Sequence, residues 1–64
     1  MDYHTLVERA RSEFLEMPGL TLTPAQAARL WGLDAKACHH VINALVDSTF
    51  LRWTPSGTVV RADA

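Results

Sequence analysis

The side chains best suited to chemistry in this 64-residue chain stand close together between positions 36 and 43: Lys36, Cys38, His39, His40 and Asn43. Cysteine and histidine bind zinc, but adjacent helical residues diverge by about 100°, so Cys38, His39 and His40 cannot converge on one ion. Lysine and asparagine suit another task, because they hydrogen-bond to guanine and adenine edges in the DNA major groove. The spacing of Cys38, His39 and His40 therefore argues against a metal site.

No residue pattern in the chain supports catalysis. Ser12, Ser48 and Ser56 have no evident base beside them, and a serine nucleophile needs one. A chain of 64 residues also leaves little room for a cleft that excludes water. The sequence therefore predicts a protein that is not an enzyme and that uses no metal, cofactor or small-molecule substrate.

Length and composition predict one packed domain, spanning 1–64. Hydrophobic residues make up 48% of the chain, which argues against disorder. A domain of this size buries only about 60% of the surface that its unfolded chain exposes, so its stability is expected to be marginal. A homodimer would add apolar core, as small domains often require.

Cysteine content and hydropathy predict a cytoplasmic protein. Cys38 is the one cysteine, which excludes an intramolecular disulfide and fits a reducing compartment. No apolar run approaches the roughly 20 residues that span a bilayer, so no membrane association is expected. The opening residues, MDYHTLVERA, are too polar for a signal peptide.

The first half of the chain predicts a helix over about 3–16 and a very short strand over 20–22. The helix is indicated by apolar residues at helical spacing, which are Tyr3, Leu6, Val7, Ala10, Phe14 and Met17. Pro18-Gly19 ends it. The alternation of Leu20–Leu22 is typical of a strand.

Two further helices are predicted at about 24–31 and 35–48, separated by a glycine. Thr23 and Gln26 have the spacing of a capping box around Pro24. Gly32 occupies the position where a left-handed backbone ends a helix, and Asp34 is suited to cap the next one. The inward residues are expected to be Ala27, Leu30, Trp31, Cys38, Val41, Ile42, Leu45 and Val46. The opposite face of the third helix collects Lys36, His39, His40, Asn43 and Asp47.

The end of the chain predicts a hairpin over about 50–61. Thr54-Pro55-Ser56-Gly57 has the composition of a turn between two short strands. Trp53 is expected to pack into the core on the same side as Leu51, with Arg52 on the other face.

This order of elements, over roughly Tyr3 to Arg61, resembles a winged helix-turn-helix domain. The segment LTPAQAARLWGLDAKACHHVINALVDSTFLRWTPSGTVVR looks like the N-terminal domain of IclR- or MarR-type transcriptional regulators. The expected fold class is therefore mainly α with a small β-hairpin, in a three-helix winged helix-turn-helix arrangement. Fold alone is only weakly specific for function.

The resemblance implies a nucleic-acid-binding surface on the third helix and on the hairpin, which would be the wing. The third helix would enter the major groove and the start of the second helix would face a phosphate. Arg52 and Arg61 flank the wing and would contact backbone or minor groove. The residues implied to bind are Thr23, Gln26, Lys36, His39, His40, Asn43, Arg52 and Arg61.

Charge leaves other functions open. The formal net charge is -1, the third helix carries one lysine, and the predicted turn TPSG carries no cation. Three hypotheses follow: a small DNA-binding regulator of transcription, a winged helix that binds another protein, and a structural subunit of a larger assembly. Phe14, Leu15 and Met17 on the first helix are predicted to meet a partner helix or a second copy.

Overall fold

The computed structural model describes residues 3–63 and contains three helices followed by a two-stranded antiparallel hairpin. The elements are α1 (Tyr3–Glu16), α2 (Pro24–Trp31), α3 (Ala35–Asp47), β1 (Leu51–Trp53) and β2 (Val59–Arg61). The expected fold class, mainly helical with a small hairpin, is confirmed. α3 ends one residue before the predicted position 48, because Ser48 caps it.

The core is formed by one face of each helix and by the inward residues of the hairpin. α1 contributes Leu6, Ala10 and Phe14, which follow one another at intervals of four residues along one face. α3 contributes its predicted apolar face, with Cys38, Val41, Ile42 and Leu45 fully buried. Leu51 and Val59 close the core from the two strands.

The start of α2 and the start of α3 are both closed by side-chain caps. Thr23 Oγ1 accepts from the Gln26 backbone N–H at 3.1 Å, and Gln26 Oε1 accepts from the Thr23 N–H at 2.9 Å. Asp34 Oδ1 accepts from the Ala37 N–H at 2.7 Å. These bonds satisfy amide groups that have no partner inside their helices.

Gly32 makes the break between α2 and α3. Its backbone is left-handed, with φ 67°, and the Leu33 N–H donates to the Ala28 carbonyl at 2.9 Å. That bond belongs to the Schellman arrangement, in which a left-handed residue ends a helix. The Cys38 thiol then donates to the Pro24 carbonyl at 3.4 Å, which ties α3 back to the start of α2.

The end of α3 uses the same arrangement with a residue that is unusual for it. Thr49 has φ 63°, its N–H donates to the Val46 carbonyl at 2.9 Å, and the Phe50 N–H donates to the Leu45 carbonyl at 3.0 Å. A β-branched residue rarely adopts a left-handed backbone. The turn directs the chain from α3 into β1, where Leu51 enters the core.

The hairpin pairs Leu51 with Arg61, Arg52 with Val60, and Trp53 with Val59. The predicted strand over 20–22 is wrong in extent, since only Leu22 forms a bridge, on Val59. Two backbone bonds make this bridge, Leu22 N–H to the Val59 carbonyl at 3.3 Å and Val59 N–H to the Leu22 carbonyl at 2.8 Å. Val59 thus pairs with Trp53 of β1 on one edge and with Leu22 on the other.

Three expectations about burial are wrong. Leu30 is 46% exposed and Trp53 is 41% exposed, although both were expected to face the core. Phe14 is fully buried and packs edge-on against Trp31, so it cannot meet a partner protein. The spacing of apolar residues locates the apolar face of a helix. How much of that face is buried depends on which other elements pack against it.

Candidate nucleic-acid interface

The outer face of α3, defined as Lys36, His39, His40, Asn43 and Asp47, is exposed along its whole length. Asp34 begins the helix, and the buried residues on the opposite side fix its rotation. In the part of the chain that the structure describes, Lys36, His39 and Asn43 form no side-chain hydrogen bond or ion pair. Their donors and acceptors therefore remain available to a ligand.

His40 occupies one edge of this face, beside the first turn of α1. Its ring lies 5.3 Å from the ring of Tyr3, centroid to centroid, with an angle of 40° between the planes. Such a tilted contact between aromatic rings restricts the imidazole without removing it from solvent. His40 is thus less free to reorient than His39, which has no such neighbour.

Thr23 and Gln26 lie at the start of α2, and both are engaged in the capping box described above. The Thr23 hydroxyl and the Gln26 Oε1 each accept a backbone hydrogen bond there. The Gln26 amide nitrogen stays free to donate. Pro24 has no N–H, and the Thr23, Gln26 and Ala27 N–H groups are already bonded, so a contact from this helix end to a phosphate would come from the Ala25 N–H and from that amide.

The two arginines of the hairpin differ in their surroundings. Arg52 is exposed on β1 and has no charged partner within residues 3–63. Arg61 is half-buried, its guanidinium lies 2.9 Å from an Asp63 carboxylate oxygen, and it lies over the Phe50 ring at 5.3 Å. Arg61 is thus neutralised by Asp63 and held against the protein, whereas Arg52 projects freely.

Phe50 joins two distant parts of the chain, which the sequence did not reveal. The Arg11 guanidinium from α1 lies 5.2 Å from the Phe50 ring centroid, at nearly the distance of Arg61. Arg11 also lies 3.8 Å from Glu8. No local pattern predicts this group, because its members come from α1, from β2 and from the turn after α3.

The electrostatics of the candidate surface are modest. Lys36 and Arg52 are cations without an acidic partner within residues 3–63, and Asp47 adds a negative charge at the end of the α3 outer face. Burial raises the pKa of the Cys38 thiol above its usual value of 9.0. Cys38 therefore stays a neutral core thiol, turned away from this face.

Neither a metal-binding cluster nor a membrane-spanning helix is found in residues 3–63. Over the described range 3–63, no three Cys, His, Asp or Glu side chains are grouped so as to hold a metal ion. None of the helices in that range is long and apolar enough to cross a membrane.

Comparison of the chain with known protein families, with characterised proteins and with solved structures found no match.

Proposed function

We propose that this chain is a small winged helix-turn-helix protein that binds duplex DNA through α3 and the hairpin, as a regulator of transcription. The observation that carries the proposal is the α3 outer face, where Lys36, His39 and Asn43 are exposed and unpartnered. A helix has the width that the major groove accepts, and these side chains have the donors and acceptors that base edges pair with.

The phosphate contacts come from few groups. Among the proposed contact residues, Lys36 and Arg52 are cations without an acidic partner within residues 3–63, and Arg61 is already paired with Asp63. Because each phosphate neutralised adds a salt-dependent contribution to affinity, one copy is expected to bind weakly and with a shallow dependence on salt. A cytoplasmic location belongs to the same proposal, since Cys38 is a free thiol and suits a reducing compartment.

The test is the binding of the full chain to a fluorescent random duplex, followed by anisotropy at about 50 mM salt. Lys36→Ala and Asn43→Ala are each expected to weaken binding at least about fivefold, and together to abolish it. Arg9→Ala is the matched control, because Arg9 is an exposed cation that belongs to α1 and not to α3 or the hairpin. Binding that survives both α3 changes would exclude α3 as the element that contacts DNA.

A second function, binding to another protein, is supported by a specific observation. The net charge is -1, and two of the six basic residues, Arg11 and Arg61, lie beside Glu8 and Asp63. Domains that bind nucleic acids commonly present a basic face. Lack of duplex binding at about 50 mM salt, with wild-type protein at about 100 µM, would favour the protein-binding function over the DNA-binding one.

A further inference from the structure

The α3 outer face carries two groups whose charge changes in mildly acid solution, His39 and His40. Both side chains are exposed, and they follow Lys36 by three and four residues, which places all three on one side of the helix. Histidine is the side chain that ordinarily gains a proton between about pH 8 and pH 5. The charge that this face presents to a ligand therefore depends on pH.

Protonation of the two rings changes the charge of the face completely. With both rings neutral, the charges of Lys36 and Asp47 cancel, and the α3 outer face has no net formal charge. With both rings protonated, the same face carries a formal charge of +2. Because DNA presents a dense array of phosphate charges, its attraction to the face increases with each proton that the face takes up.

The elements that pack against α3 are α1, α2 and β1, and they supply no acidic partner for either ring. α1 brings the Tyr3 ring to His40, and phenols are neutral throughout this pH range. The charged residues of α2 and β1 are Arg29 and Arg52, which are both cations. The acidic residues of α1, which form no ion pair with α3 in the described part of the chain, are Glu8, Glu13 and Glu16. A phosphate of DNA would therefore meet the charged rings without a competing carboxylate.

We propose that duplex DNA binds the form of this protein in which His39 and His40 are protonated, so that binding takes up protons and strengthens below neutral pH. The inference rests on the proposed DNA-binding function and adds its regulation by pH. A protonated imidazole has a positive charge and an N–H donor on each ring nitrogen, which suit phosphate oxygens and the acceptors of base edges. Above about pH 7.5, the charge that holds the phosphates comes from Lys36 and Arg52 alone.

The size of the effect follows from the number of protons. If each added charge strengthens the complex about tenfold, proton linkage gives an increase in affinity of about 25-fold between about pH 7.5 and pH 5.5. The same linkage gives an uptake of about one proton per bound chain near pH 7. Carboxylic acids ordinarily titrate near pH 4, so they contribute little to either quantity in this range.

The experiment is an anisotropy titration of a fluorescent random duplex with the full chain, from about pH 5.5 to pH 8 at about 50 mM salt. Wild type is expected to bind at least about tenfold more tightly at the acid end than at about pH 7.5. The double variant His39→Gln/His40→Gln is expected to change less than about twofold. His4→Gln is the matched control, because His4 is an exposed histidine of α1 and belongs neither to α3 nor to the hairpin. Circular dichroism at each pH checks that every variant is folded.

A permanent charge at the same two positions tests the role of the protons directly. The double variant His39→Arg/His40→Arg is charged at every pH, so at about pH 7.5 it should bind about as tightly as wild type binds at about pH 5.5. Calorimetry in two buffers of different ionisation enthalpy measures the protons taken up on binding. Wild type should take up about one proton per bound chain near pH 7, and the double glutamine variant almost none.

The outcomes distinguish this inference from DNA binding itself. Binding of wild type with one affinity throughout the pH range would overturn the inference and leave the proposed DNA-binding function intact. A pH dependence that persists in His39→Gln/His40→Gln, or that disappears in His4→Gln, would also overturn it, because other groups would then take up the protons. Absence of binding at every pH would overturn both the inference and the proposed function.

Discussion

Two residues with left-handed backbones end the two helices α2 and α3, and only one of them is glycine. Gly32 has φ 67° and Thr49 has φ 63°. Each stands at the same position of a Schellman arrangement, with matching hydrogen bonds to the preceding turn. A residue with a Cβ pays about 1–2 kcal/mol for this conformation, and a β-branched residue is the least suited to it. Thr49 is therefore a strained position.

We expect opposite effects from substitutions at these two sites. Gly32→Ala should lower the free energy of unfolding by about 1 kcal/mol, although no atom lies within 4 Å of the added Cβ, because the backbone itself becomes strained. Thr49→Gly should raise it by about 0.5–1 kcal/mol, since relief of strain exceeds the added entropy of the unfolded chain. Urea denaturation measures both. Destabilisation by Thr49→Gly would contradict the assignment of strain.

Cys38 provides a prediction about alkaline pH. The folded protein raises the pKa of this thiol above 9.0 because burial disfavours the thiolate. Above about pH 9 the unfolded chain therefore loses the Cys38 proton, whereas the folded chain keeps it. The free energy of unfolding that depends on the neutral thiol is fully present below that pH and is lost as pH rises through the pKa of the folded state. Between about pH 9 and 10.5, the free energy of unfolding of Cys38→Ala should therefore decrease less steeply than that of wild type.

Equilibrium denaturation at a series of pH values measures that difference. Comparing the two slopes removes the contribution of other groups that titrate in the same range, because they are common to both proteins. Equal slopes would contradict the prediction. The same burial predicts that a thiol reagent modifies Cys38 only after unfolding, because the residue has no exposed surface and the thiolate is the reactive form.

At the scale of the elements, the first turn of α3 matters for the proposed site, because it carries Lys36 and is closed by the Asp34 cap. The Asp34 carboxylate accepts the Ala37 N–H at 2.7 Å and lies at the positive end of the helix dipole. Asp34→Ala should lower the free energy of unfolding by about 1 kcal/mol, whereas Asp34→Asn should lose much less because the amide oxygen still accepts the bond. Thermal unfolding compares the variants, and a loss of 1 kcal/mol corresponds to about 4–8 °C. Equal losses in both would show that the charge, not the hydrogen bond, is responsible.

In the hairpin, the sequence predicts the two strands and the turn but not which of their side chains are covered. Its ends and turn are evident from Thr54-Pro55-Ser56-Gly57, and the Thr54 N–H indeed donates to the Thr58 carbonyl at 2.9 Å. The exposure of Trp53 was not predictable, because alternation of residues along a strand does not show how far the strand extends beyond the helices that cover it. The Leu22 bridge likewise depends on where β2 lies.

At the scale of the whole molecule, the small number of unpaired cations on α3 and the hairpin allows a quantitative prediction for DNA binding. If Lys36 and Arg52 provide the phosphate contacts, the logarithm of the binding constant should fall with the logarithm of salt concentration with a slope of about -2 for one copy. Two copies on one duplex should give about -4. Anisotropy titrations between about 50 and 200 mM salt measure the slope. A slope steeper than about -6 would require cations that neither case supplies.

The bounds of the helices were determined by the sequence by itself, because the signals that end a helix act between residues a few positions apart. The capping box of Thr23 and Gln26, the Asp34 cap and the left-handed Gly32 each join groups separated by at most five residues. The exposed α3 outer face follows from the same local regularity, since helical spacing separates its polar residues from the apolar ones.

Only the tertiary structure decided which of these side chains remain free and which apolar ones stay uncovered. Arg61 is paired with Asp63, and the guanidinium groups of Arg61 and Arg11, 50 positions apart in sequence, both lie on the Phe50 ring. Leu30 stays 46% exposed, although its spacing predicted burial. The physical reason is that the burial of apolar side chains and the pairing of charged ones depend on how distant elements pack. A sequence pattern records only the geometry within one element.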